Sequence, residues 1–263
     1  NRSMVQALQK ADSRIPYLTV LTDMADYPPS FWIERQKQHF VCGTDKALQQ
    51  VREISPESSA RRASGMILNP KFYEVTPVDA AEGRRAMGLD PARPTGLVLF
   101  GGMGSEKMAE ILDRIDNSPL DVQLILLCGK NEKLRRKLAA RPARIARYVE
   151  GFTREVPRYM QLADFFIGKP GPGSISEAIH MGLPVIVEKN AWTLPQERFN
   201  ADWVVENNVG ESLGSFREIV PALERLLAPG RLGELQRNAR AVENRAIFEV
   251  VDHIASLLPA DTR

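Results

Sequence analysis

Cysteine, histidine and tryptophan are scarce in this chain of 263 residues, which holds two, three and three of them. Cys42 and Cys128 lie far apart, each inside an apolar run, and neither belongs to a CxxC motif or a Cys/His cluster. This usage argues against a disulfide framework and against structural zinc. We therefore expect two buried thiols, a reducing compartment and a cytoplasmic protein.

The sequence also lacks long apolar runs and an excess of charge of one sign. No run reaches the roughly 18 apolar residues that a membrane-spanning helix needs, and no signal peptide opens the sequence. Lys and Arg number 35 against 33 Asp and Glu, so bulk electrostatics gives no reason to expect a nucleic-acid partner. With 43% hydrophobic residues, the chain can bury a full core, and we predict a globular protein.

The first 68 residues predict part of a sheet rather than a whole one. Residues 17–23 (YLTVLTD) and 39–44 (HFVCGT) are short β-rich runs, and residues 45–54 (DKALQQVREI) have the apolar spacing of a helix. Residues 1–12 (NRSMVQALQKAD) predict a helix, and no methionine starts the chain. Because two strands make a poor core, we interpret residues 1–68 as the end of a larger N-terminal domain whose earlier strands lie upstream.

From residue 95 onward, short apolar runs alternate with amphipathic stretches. The predicted strands are GLVLF, VQLILLC, IARYVEG, DFFIG, LPVIVE and GESL, with helices between them. Repeated β-α units indicate a mostly parallel sheet covered by helices on both faces. We therefore assign residues 77–263 to a second, doubly wound α/β domain, with residues 69–76 as the linker. Residues 215–258 predict helices, and we expect the last of them to pack back on the first domain.

Glycines cluster where the predicted strands end. Gly129 and Gly151 each follow a strand, and two turns are richer still, FGGMGSEKMAEIL and GKPGPGSISEAI. Each of these turns leads from a strand through glycines into a helix, where free backbone N–H groups and the positive helix end favour an anion. In a doubly wound sheet, ligands bind at the carboxyl ends of the strands. The two turns predict a phosphate site there, with Lys169 beside it; the alternative is that they merely reverse the chain.

Glu177 has two interpretations. Ser174-Ile-Ser-Glu177 fits the S-x-x-E capping box, in which the glutamate only accepts from the backbone N–H of the serine. Ser215-Phe-Arg-Glu218 fits the same box without glycines around it, so the motif needs no further function. A carboxylate one turn into a helix whose first turn holds a phosphate would instead meet the ribose diol of a nucleotide. The sequence leaves both interpretations open.

The motif KPGPGS with Glu177, followed by Gln196, Glu197 and Asn200, resembles the donor-binding half of family 28 glycosyltransferases of the GT-B fold. The most similar branch is that of monogalactosyldiacylglycerol synthases and processive diacylglycerol glucosyltransferases. Residues 19–44 resemble the end of the acceptor domain in that branch. The resemblance implies an α/β protein of GT-B type, with a Rossmann-like, doubly wound parallel sheet as C-terminal donor domain and the remnant of a second Rossmann-like domain before it.

Carried over by position, the resemblance implies donor contacts along the glycine-rich edge. The residues implied for the donor phosphates are Gly102, Gly104, Ser105, Lys169, Gly171, Gly173 and Ser174. Phe152 is implied beside the uracil and Glu177 at the ribose, while Gln196 and Glu197, with Asn200 in the same motif, are implied at the sugar. A polar pair suits that role because a site built around hydroxyls rejects donors that leave it unpaired. The alternatives are that Phe152 is an ordinary core residue and that Gln196 and Glu197 belong to an ordinary outward-facing helix surface.

The reaction implied is transfer of a hexose from UDP-glucose or UDP-galactose to a lipid hydroxyl such as that of diacylglycerol. The resemblance implies no cofactor and no metal, and the donor half has no Asp-x-Asp motif. We assign no catalytic base, because the family's base is expected upstream of this chain, and the chain alone is expected to be inactive. Asp23 faces the cleft in one interpretation and, like Asp26, caps a turn in the other.

Two other functions stay open at this stage. One is a different GT-B chemistry, either transfer from UDP-N-acetylglucosamine or nucleotide-sugar epimerisation, although the acid/base groups of an epimerase are not evident beyond Glu197. The other is a non-catalytic module that binds UDP-sugars. Turnover by the full-length protein distinguishes an enzyme from such a module.

A lipid acceptor implies work at a membrane surface. Residues 130–147 carry eight basic residues against a single acid, Glu132, and such a run either attracts anionic lipid or is a solvated helix face. The segment PPSFW, with Phe31 and Trp32, is a second candidate for lipid contact. We expect a bacterial enzyme of glycolipid biosynthesis that is peripheral on the inner face of the membrane.

Overall fold

The computed structural model describes residues 1–11 and 15–258, so the predicted helix 1–12 and the predicted domain ending at 263 both extend past the described residues. The strands form two parallel sheets, one in the order β1-β2-β3 and one in the order β6-β5-β4-β7-β8-β9. The strands are β1 Leu18–Val20, β2 His39–Cys42, β3 Ser59–Arg62, β4 Thr95–Leu99, β5 Gln123–Leu127, β6 Arg147–Glu150, β7 Phe165–Gly168, β8 Val185–Glu188 and β9 Gly210–Leu213. The helices are α1 Arg2–Lys10, α2 Asp45–Ile54, α3 Ala80–Ala86, α4 Lys107–Asp116, α5 Glu132–Ala140, α6 Val156–Gln161, α7 Pro172–His180, α8 Arg198–Glu206, α9 Ile219–Leu226, α10 Arg231–Ala241 and α11 Ala246–Leu257.

The small sheet takes its core from β2 and α2. Phe40 in β2 and Val51 in α2 are wholly buried and share one apolar cluster. Helix α2 follows Thr44, whose side-chain oxygen accepts a hydrogen bond from the N–H of Ala47 at 3.1 Å. This cap satisfies a backbone donor that the first turn of a helix leaves free. The predicted strands and helix of this region are therefore confirmed.

One strand and one α-helix lie where the sequence predicted none. Strand β3 pairs with β2 and brings the small sheet to three strands, so the prediction of two was wrong. Its sequence, Ser-Ala-Arg-Arg, is mostly exposed because β3 is an edge strand, and an edge strand shows no apolar alternation. Helix α3 is capped by the carboxylate of Asp79. Gly83 lowers the helix propensity of α3. The sequence therefore did not predict this helix.

The large sheet has the six strands predicted from residue 95 onward. Leu97 and Ile125 belong to the apolar cluster on one face, whereas their neighbours Val98 and Leu124 belong to the cluster on the other. Because successive side chains of a strand point to opposite faces, both faces are buried. Strands β5 and β6 extend from β4 to one side and β7, β8 and β9 to the other. The order of the strands reverses at β4 and β7, where doubly wound sheets place their ligand crevice.

Helix α11 packs on the small sheet. Ala246 and Val250 share an apolar cluster with Val41 of β2. The carboxylate of Glu249 accepts from both the backbone N–H and the hydroxyl of Ser64, at 2.6 Å each. The final helix of the described chain therefore covers a face of the sheet formed by its first strands.

Candidate functional site

Two glycine turns interlock at the carboxyl ends of β4 and β5. A Cβ on Gly129 (φ +58°) would lie 2.3 Å from the carbonyl oxygen of Gly102, and one on Gly104 (φ +62°) would lie 2.6 Å from that of Cys128. The N–H of Lys130 donates to the carbonyl of Gly102 at 2.8 Å. Only glycine combines a positive φ with such a close backbone approach. This part of the sheet edge is therefore built of main chain.

The turn after β7 decides the role of Glu177. Gly171 is the N-cap of α7 and Pro172 its first residue, a position that proline favours. The helix thus begins before Ser174, whose hydroxyl donates to the carbonyl of Gly171 at 3.3 Å. Among the described residues, none is a hydrogen-bond or ion-pair partner of the side-chain carboxylate of Glu177. The capping interpretation of Glu177 is wrong, whereas the box at Ser215–Glu218 is confirmed.

A cavity of about 410 Å³, here called the glycine cavity, opens between these turns. Its backbone walls come from Gly101, Gly102, Gly129, Gly151, Gly171 and Gly173, and its side chains include Phe152, Lys169, Ser174, Glu177 and Glu197. The cavity has the size of an ordinary small-ligand site. The structure therefore brings together eight of the residues predicted to contact the donor.

The remaining predicted residues lie elsewhere around this cavity. Gly104 and Ser105 line a neighbouring cavity of about 440 Å³. Gln196 lies in the 3₁₀ turn Pro195–Glu197 and lines neither cavity. Asn200 is wholly buried, and its side-chain amide donates to the carbonyl of Pro170 at 2.8 Å. Asn200 therefore holds the turn after β7 in place, and this geometry does not offer the direct donor contact that we predicted.

Phe152 lies at the rim of the glycine cavity with 57% of its surface exposed. The ammonium of Lys130 lies 5.7 Å from the centre of its ring, within the range of a cation–π contact. The alternative of a core phenylalanine is therefore wrong. An exposed ring at a cavity rim is available to stack on a flat ligand.

Lys169 and Glu197 form an ion pair across the cavity. Lys169 Nζ lies 2.8 Å from Glu197 Oε1, and only 8% of Glu197 is exposed. The Lys169 side chain passes 3.2 Å from where a Cβ on Gly171 would lie and 3.9 Å from that of Gly101. The Lys169 side chain thus runs between the two glycine turns, and a side chain on Gly171 would crowd it. Both members of the pair also line the neighbouring cavity.

Asp23, which follows β1 of the small sheet, interacts electrostatically with the Lys169–Glu197 pair. Its carboxylate accepts from the indole N–H of Trp32 at 2.8 Å. Burial raises the pKa of Asp23, the Trp32 hydrogen bond lowers it, and the negative charge of Glu197 raises it further. Asp26 instead accepts from the backbone N–H of Trp32 at 2.6 Å and organises the turn after β1. The capping interpretation therefore holds for Asp26, whereas Asp23 is electrostatically coupled to the ion pair.

Glu177→Gln is expected to raise the free energy of unfolding by about 3 kcal/mol at pH 8. Burial raises the pKa of Glu177 from 4.5 to about 7. The native state then keeps a proton that the unfolded state loses, so the stability from this group is full below pH 4.5 and is lost as the pH rises to about 7. Urea unfolding at pH 5 and pH 8 measures this.

The exposed Glu206 provides the control for that substitution. Glu206→Gln is expected to change the free energy of unfolding by less than about 0.5 kcal/mol at either pH. An equal gain for Glu177→Gln at both pH values would contradict the burial of its charge.

The cysteines and histidines lie outside the glycine cavity. Cys42 and Cys128 are wholly buried, as predicted. Burial raises the pKa of Cys42 to about 12 and that of Cys128 to about 11. His180 packs 4.7 Å from the ring of Tyr73, and burial lowers its pKa. Within residues 1–11 and 15–258, His, Cys, Asp and Glu nowhere gather in a group of three or more that could hold a metal ion.

The neighbouring cavity was missed in the sequence. We call it the tryptophan cavity, after Trp192, which lies in the loop following β8 and is 93% exposed. The carboxamide oxygen of Asn190 accepts from the N–H of Trp192, and the hydroxyl of Thr193 accepts from the N–H of Asn190, each at 2.9 Å. The available signal was a single tryptophan in the polar loop KNAWTLP. Its hydrogen bonds hold the backbone from which the indole projects.

Comparisons with known proteins find similar sequences and similar folds. Residues 97–211 match the glycosyltransferase family 28 C-terminal domain. Over 257 residues the chain is 29% identical to the chloroplastic monogalactosyldiacylglycerol synthase of Spinacia oleracea, covering 93% of this chain and 48% of that protein. It is 29% identical over 256 residues to monogalactosyldiacylglycerol synthase 1 of Arabidopsis thaliana, covering 93% and 47%. The chain thus spans about half the length of the curated relatives that it matches.

Solved structures share the fold at low sequence identity. MurG of Acinetobacter baumannii superposes with a TM-score of 0.65 at 15% identity, covering 95% of this chain and 69% of MurG. Anabaena Alr3699/HepE, solved with UDP and glucose, gives a TM-score of 0.63 at 16% identity, covering 96% and 75%. Residues 97–211 are therefore similar to the glycosyltransferase family 28 C-terminal domain, and the chain shares the α/β fold of these solved glycosyltransferase-type structures.

Proposed function

We propose that this chain forms the donor-binding half of a glycosyltransferase that transfers a hexose from UDP-glucose or UDP-galactose to a lipid hydroxyl such as that of diacylglycerol. One observation carries the proposal: the glycine cavity combines main-chain turns, the ammonium of Lys169 and the unpartnered carboxylate of Glu177. The names of the two plant relatives support galactose and diacylglycerol. The structural neighbour solved with UDP and glucose supports a uridine nucleotide.

The donor would lie along the carboxyl edge of the large sheet. Phe152 at one end stacks on the uracil, and Glu177 accepts from the ribose hydroxyls. The diphosphate meets the start of α7 and the glycine turns, where free N–H groups and the helix dipole favour negative charge. Lys169 turns toward the diphosphate, which leaves the carboxylate of Glu197 to bind hydroxyls of the hexose.

The reaction exchanges two bonds at the anomeric carbon of the hexose. A bond forms to the oxygen of the acceptor hydroxyl, while the bond to the diphosphate oxygen breaks and its electron pair leaves with UDP. Backbone donors and Lys169 stabilise the charge that builds on the diphosphate. The hydroxyl proton goes to a general base, for which Asp23 is the candidate on this chain, because a raised pKa improves a carboxylate base. The remaining acceptor site belongs to the part of the protein that relatives carry in addition.

Calorimetric titration of the chain with UDP, UDP-glucose, UDP-galactose and UDP-N-acetylglucosamine tests the proposal. At pH 8, where the carboxylate of Glu177 is ionised, UDP is expected to bind, and Glu177→Ala is expected to lose about tenfold in affinity, because the ribose hydroxyls lose a charged acceptor. Circular dichroism confirms that the variant is folded. No binding of any uridine nucleotide would contradict the proposal. Equal binding by Glu177→Ala would remove Glu177 from the site.

The proposal includes contact between this chain and a membrane, and two surfaces are candidates for that contact. Among the described residues, no helix combines the length and the apolar character needed to cross a bilayer. Within the basic run 130–147, four cations pair with acids: Arg135 and Arg136 with Glu132, Lys137 with Glu106, and Arg141 with Asp113. These pairs favour the solvated-face interpretation of that run. Phe31 and Trp32, both exposed and packed edge to face at 4.6 Å, remain the lipid-contact candidate.

A peripheral location on the inner face of a membrane and a bacterial source remain predictions. The relatives named above are chloroplastic plant proteins, and they support work on lipids in general.

A further inference from the structure

The end of β6 carries a carboxylate that the proposed reaction does not use. Glu150 is the last residue of β6, and its carbonyl oxygen accepts from the N–H of Cys128 at 2.8 Å. Its carboxylate accepts hydrogen bonds from the N–H of Gly151 at 2.8 Å, the hydroxyl of Tyr148 at 3.0 Å and that of Tyr159 at 3.2 Å. We call Glu150, Tyr148 and Tyr159 the Glu150 clamp. Glu150 lies outside the lining of the glycine cavity, so it acts on a ligand there through its neighbours.

The Glu150 clamp holds both ends of the loop at the rim of the glycine cavity. This loop, residues 151–155, connects β6 to α6. Glu150 comes directly before the loop, and the buried Tyr159 follows it in α6. The residues of the loop and the start of α6 that line the cavity are Gly151, Phe152, Thr153 and Val156. The hydrogen bond between Tyr159 and Glu150 therefore joins the two elements that carry this part of the cavity wall.

The hydrogen bonds of the Glu150 clamp are charge-assisted. The N–H of Gly151 lowers the pKa of Glu150, partial burial raises it, and the hydroxyls of Tyr148 and Tyr159 lower it further, so that the net shift is downward. Burial raises the pKa of both tyrosines, and their hydroxyls therefore keep the protons that they donate. Hydrogen bonds to an ionised acceptor are stronger than neutral ones. The clamp is therefore fully formed at neutral pH.

The main chain next to the clamp is available to a ligand. The N–H of Gly151 is taken by Glu150, whereas among the described residues none is a hydrogen-bond partner of the N–H or the C=O of Phe152. Uracil presents an O4 acceptor beside an N3–H donor, which is complementary to such a pair, and cytosine presents an N4–H₂ donor beside an N3 acceptor. A main chain held in place accepts uracil and rejects cytosine, because cytosine would leave both groups unpaired.

We propose that the Glu150 clamp sets the base specificity of the donor site, because it fixes the main chain of Phe152 where uracil pairs with it and cytosine does not. Glu150 is a positioning residue, which acts through Gly151 and does not touch the nucleotide. The inference rests on the proposed function and deepens it, since it names the residues that select a uridine nucleotide. The ribose and the diphosphate meet other residues, so the clamp affects discrimination between bases more than it affects binding in general.

Calorimetric titration at pH 8 with UDP and CDP, which differ only in the base, tests the proposal. The unmodified chain is expected to bind UDP about a hundredfold more tightly than CDP. Glu150→Ala is expected to lower UDP affinity about tenfold and CDP affinity less than about twofold, because the loop is no longer held for uracil. Glu150→Gln keeps an acceptor for the N–H of Gly151, and both affinities are expected to stay within about threefold of those of the unmodified chain.

Two tyrosine variants provide a test that leaves the carboxylate in place. Tyr159→Phe keeps the buried ring but removes one hydrogen bond of the clamp, and it is expected to lower the ratio of UDP to CDP affinity about threefold. Tyr73→Phe is the matched control. Tyr73 also donates from its hydroxyl, to Asn244 at 3.3 Å, but it lies in a segment that does not line the glycine cavity. The ratio is expected to stay unchanged in Tyr73→Phe, and circular dichroism checks the folding of all four variants.

Three results would overturn the proposal. The unmodified chain binds UDP and CDP equally; Glu150→Ala lowers both affinities by the same factor, which would make the clamp a purely structural feature; or Tyr159→Phe changes the ratio no more than Tyr73→Phe does. If Glu150→Ala does not fold, the comparison of the two tyrosine variants decides. Failure of the proposed function looks different, because in that case the unmodified chain does not bind UDP at all.

Discussion

Gly129→Ala is expected to lose at least about a hundredfold in UDP affinity and about 3 kcal/mol in free energy of unfolding. The new Cβ would lie 2.3 Å from the carbonyl oxygen and 2.6 Å from the carbonyl carbon of Gly102. Neither atom belongs to a flexible side chain, so the turn after β4 has to move. That movement displaces the backbone surface proposed to face the diphosphate. Calorimetry with UDP and urea unfolding monitored by circular dichroism measure the two effects.

Gly88→Ala is the matched control for backbone strain. Gly88 also has a positive φ, +72°, but an added Cβ there meets nothing within 4 Å, and the residue lies outside both cavities. Gly88→Ala is expected to cost about 1 kcal/mol and to leave UDP affinity unchanged. If Gly129→Ala matches Gly88→Ala in both measurements, the interlocked turns do not form the site.

Arg84→Met is expected to lower the free energy of unfolding by about 3–5 kcal/mol. Arg84 is buried, donates to the carbonyl of Leu162 at 2.9 Å and pairs with Asp164 at 2.9 Å. Removing the guanidinium leaves the Asp164 charge without its partner just before β7. Asp164 also accepts from the N–H of Thr95 at 2.7 Å, which ties the starts of β4 and β7 together. Urea unfolding measures the loss.

Two further variants separate the buried pair from an ordinary ion pair. Arg93→Met removes the partner of the exposed Asp121, 3.0 Å away, and is expected to cost less than about 1 kcal/mol. Asp164→Asn added to Arg84→Met is expected to recover about 1–2 kcal/mol, because no unpaired charge then remains. If Arg84→Met lowers the free energy of unfolding no more than Arg93→Met does, burial does not make the Arg84–Asp164 pair more important for stability.

The large sheet was predictable because its strands carry their own signal. A parallel sheet covered on both faces favours short, nearly continuous apolar strands, and residues 124–127 of β5 form such a run that is buried along its full length. Strand β3 and helix α3 lacked that signal. The first is an exposed edge strand, and the second contains a glycine. Strand β3 is placed by its pairing with β2, whereas α3 has a local signal in its N-cap Asp79 that its glycine outweighed.

The glycine cavity was predicted by position, and its details depended on backbone geometry. Glycines at strand ends indicated the edge of the sheet, but whether Glu177 was a cap depended on where α7 begins. Helix α7 begins at Pro172, before Ser174, so Ser174 is not its N-cap. The sequence also did not predict that Asn200 is buried or that Trp192 is exposed. The apolar pattern of a helix shows which residues share a face, but it does not show which contacts hold the turn before the helix.

The link between Ser64 and Glu249 has a consequence for the order of assembly. These residues are 185 positions apart in the chain, yet they share two hydrogen bonds. Partners so distant meet only after a large loop has closed, which makes their pairing a late and slow event. During synthesis the ribosome releases the small sheet long before α11 exists, so one face of that sheet stays open until the rest of the chain has emerged. Until α11 has emerged, the face of the small sheet that includes Val41 is therefore expected to be open to chaperone capture and to proteolysis.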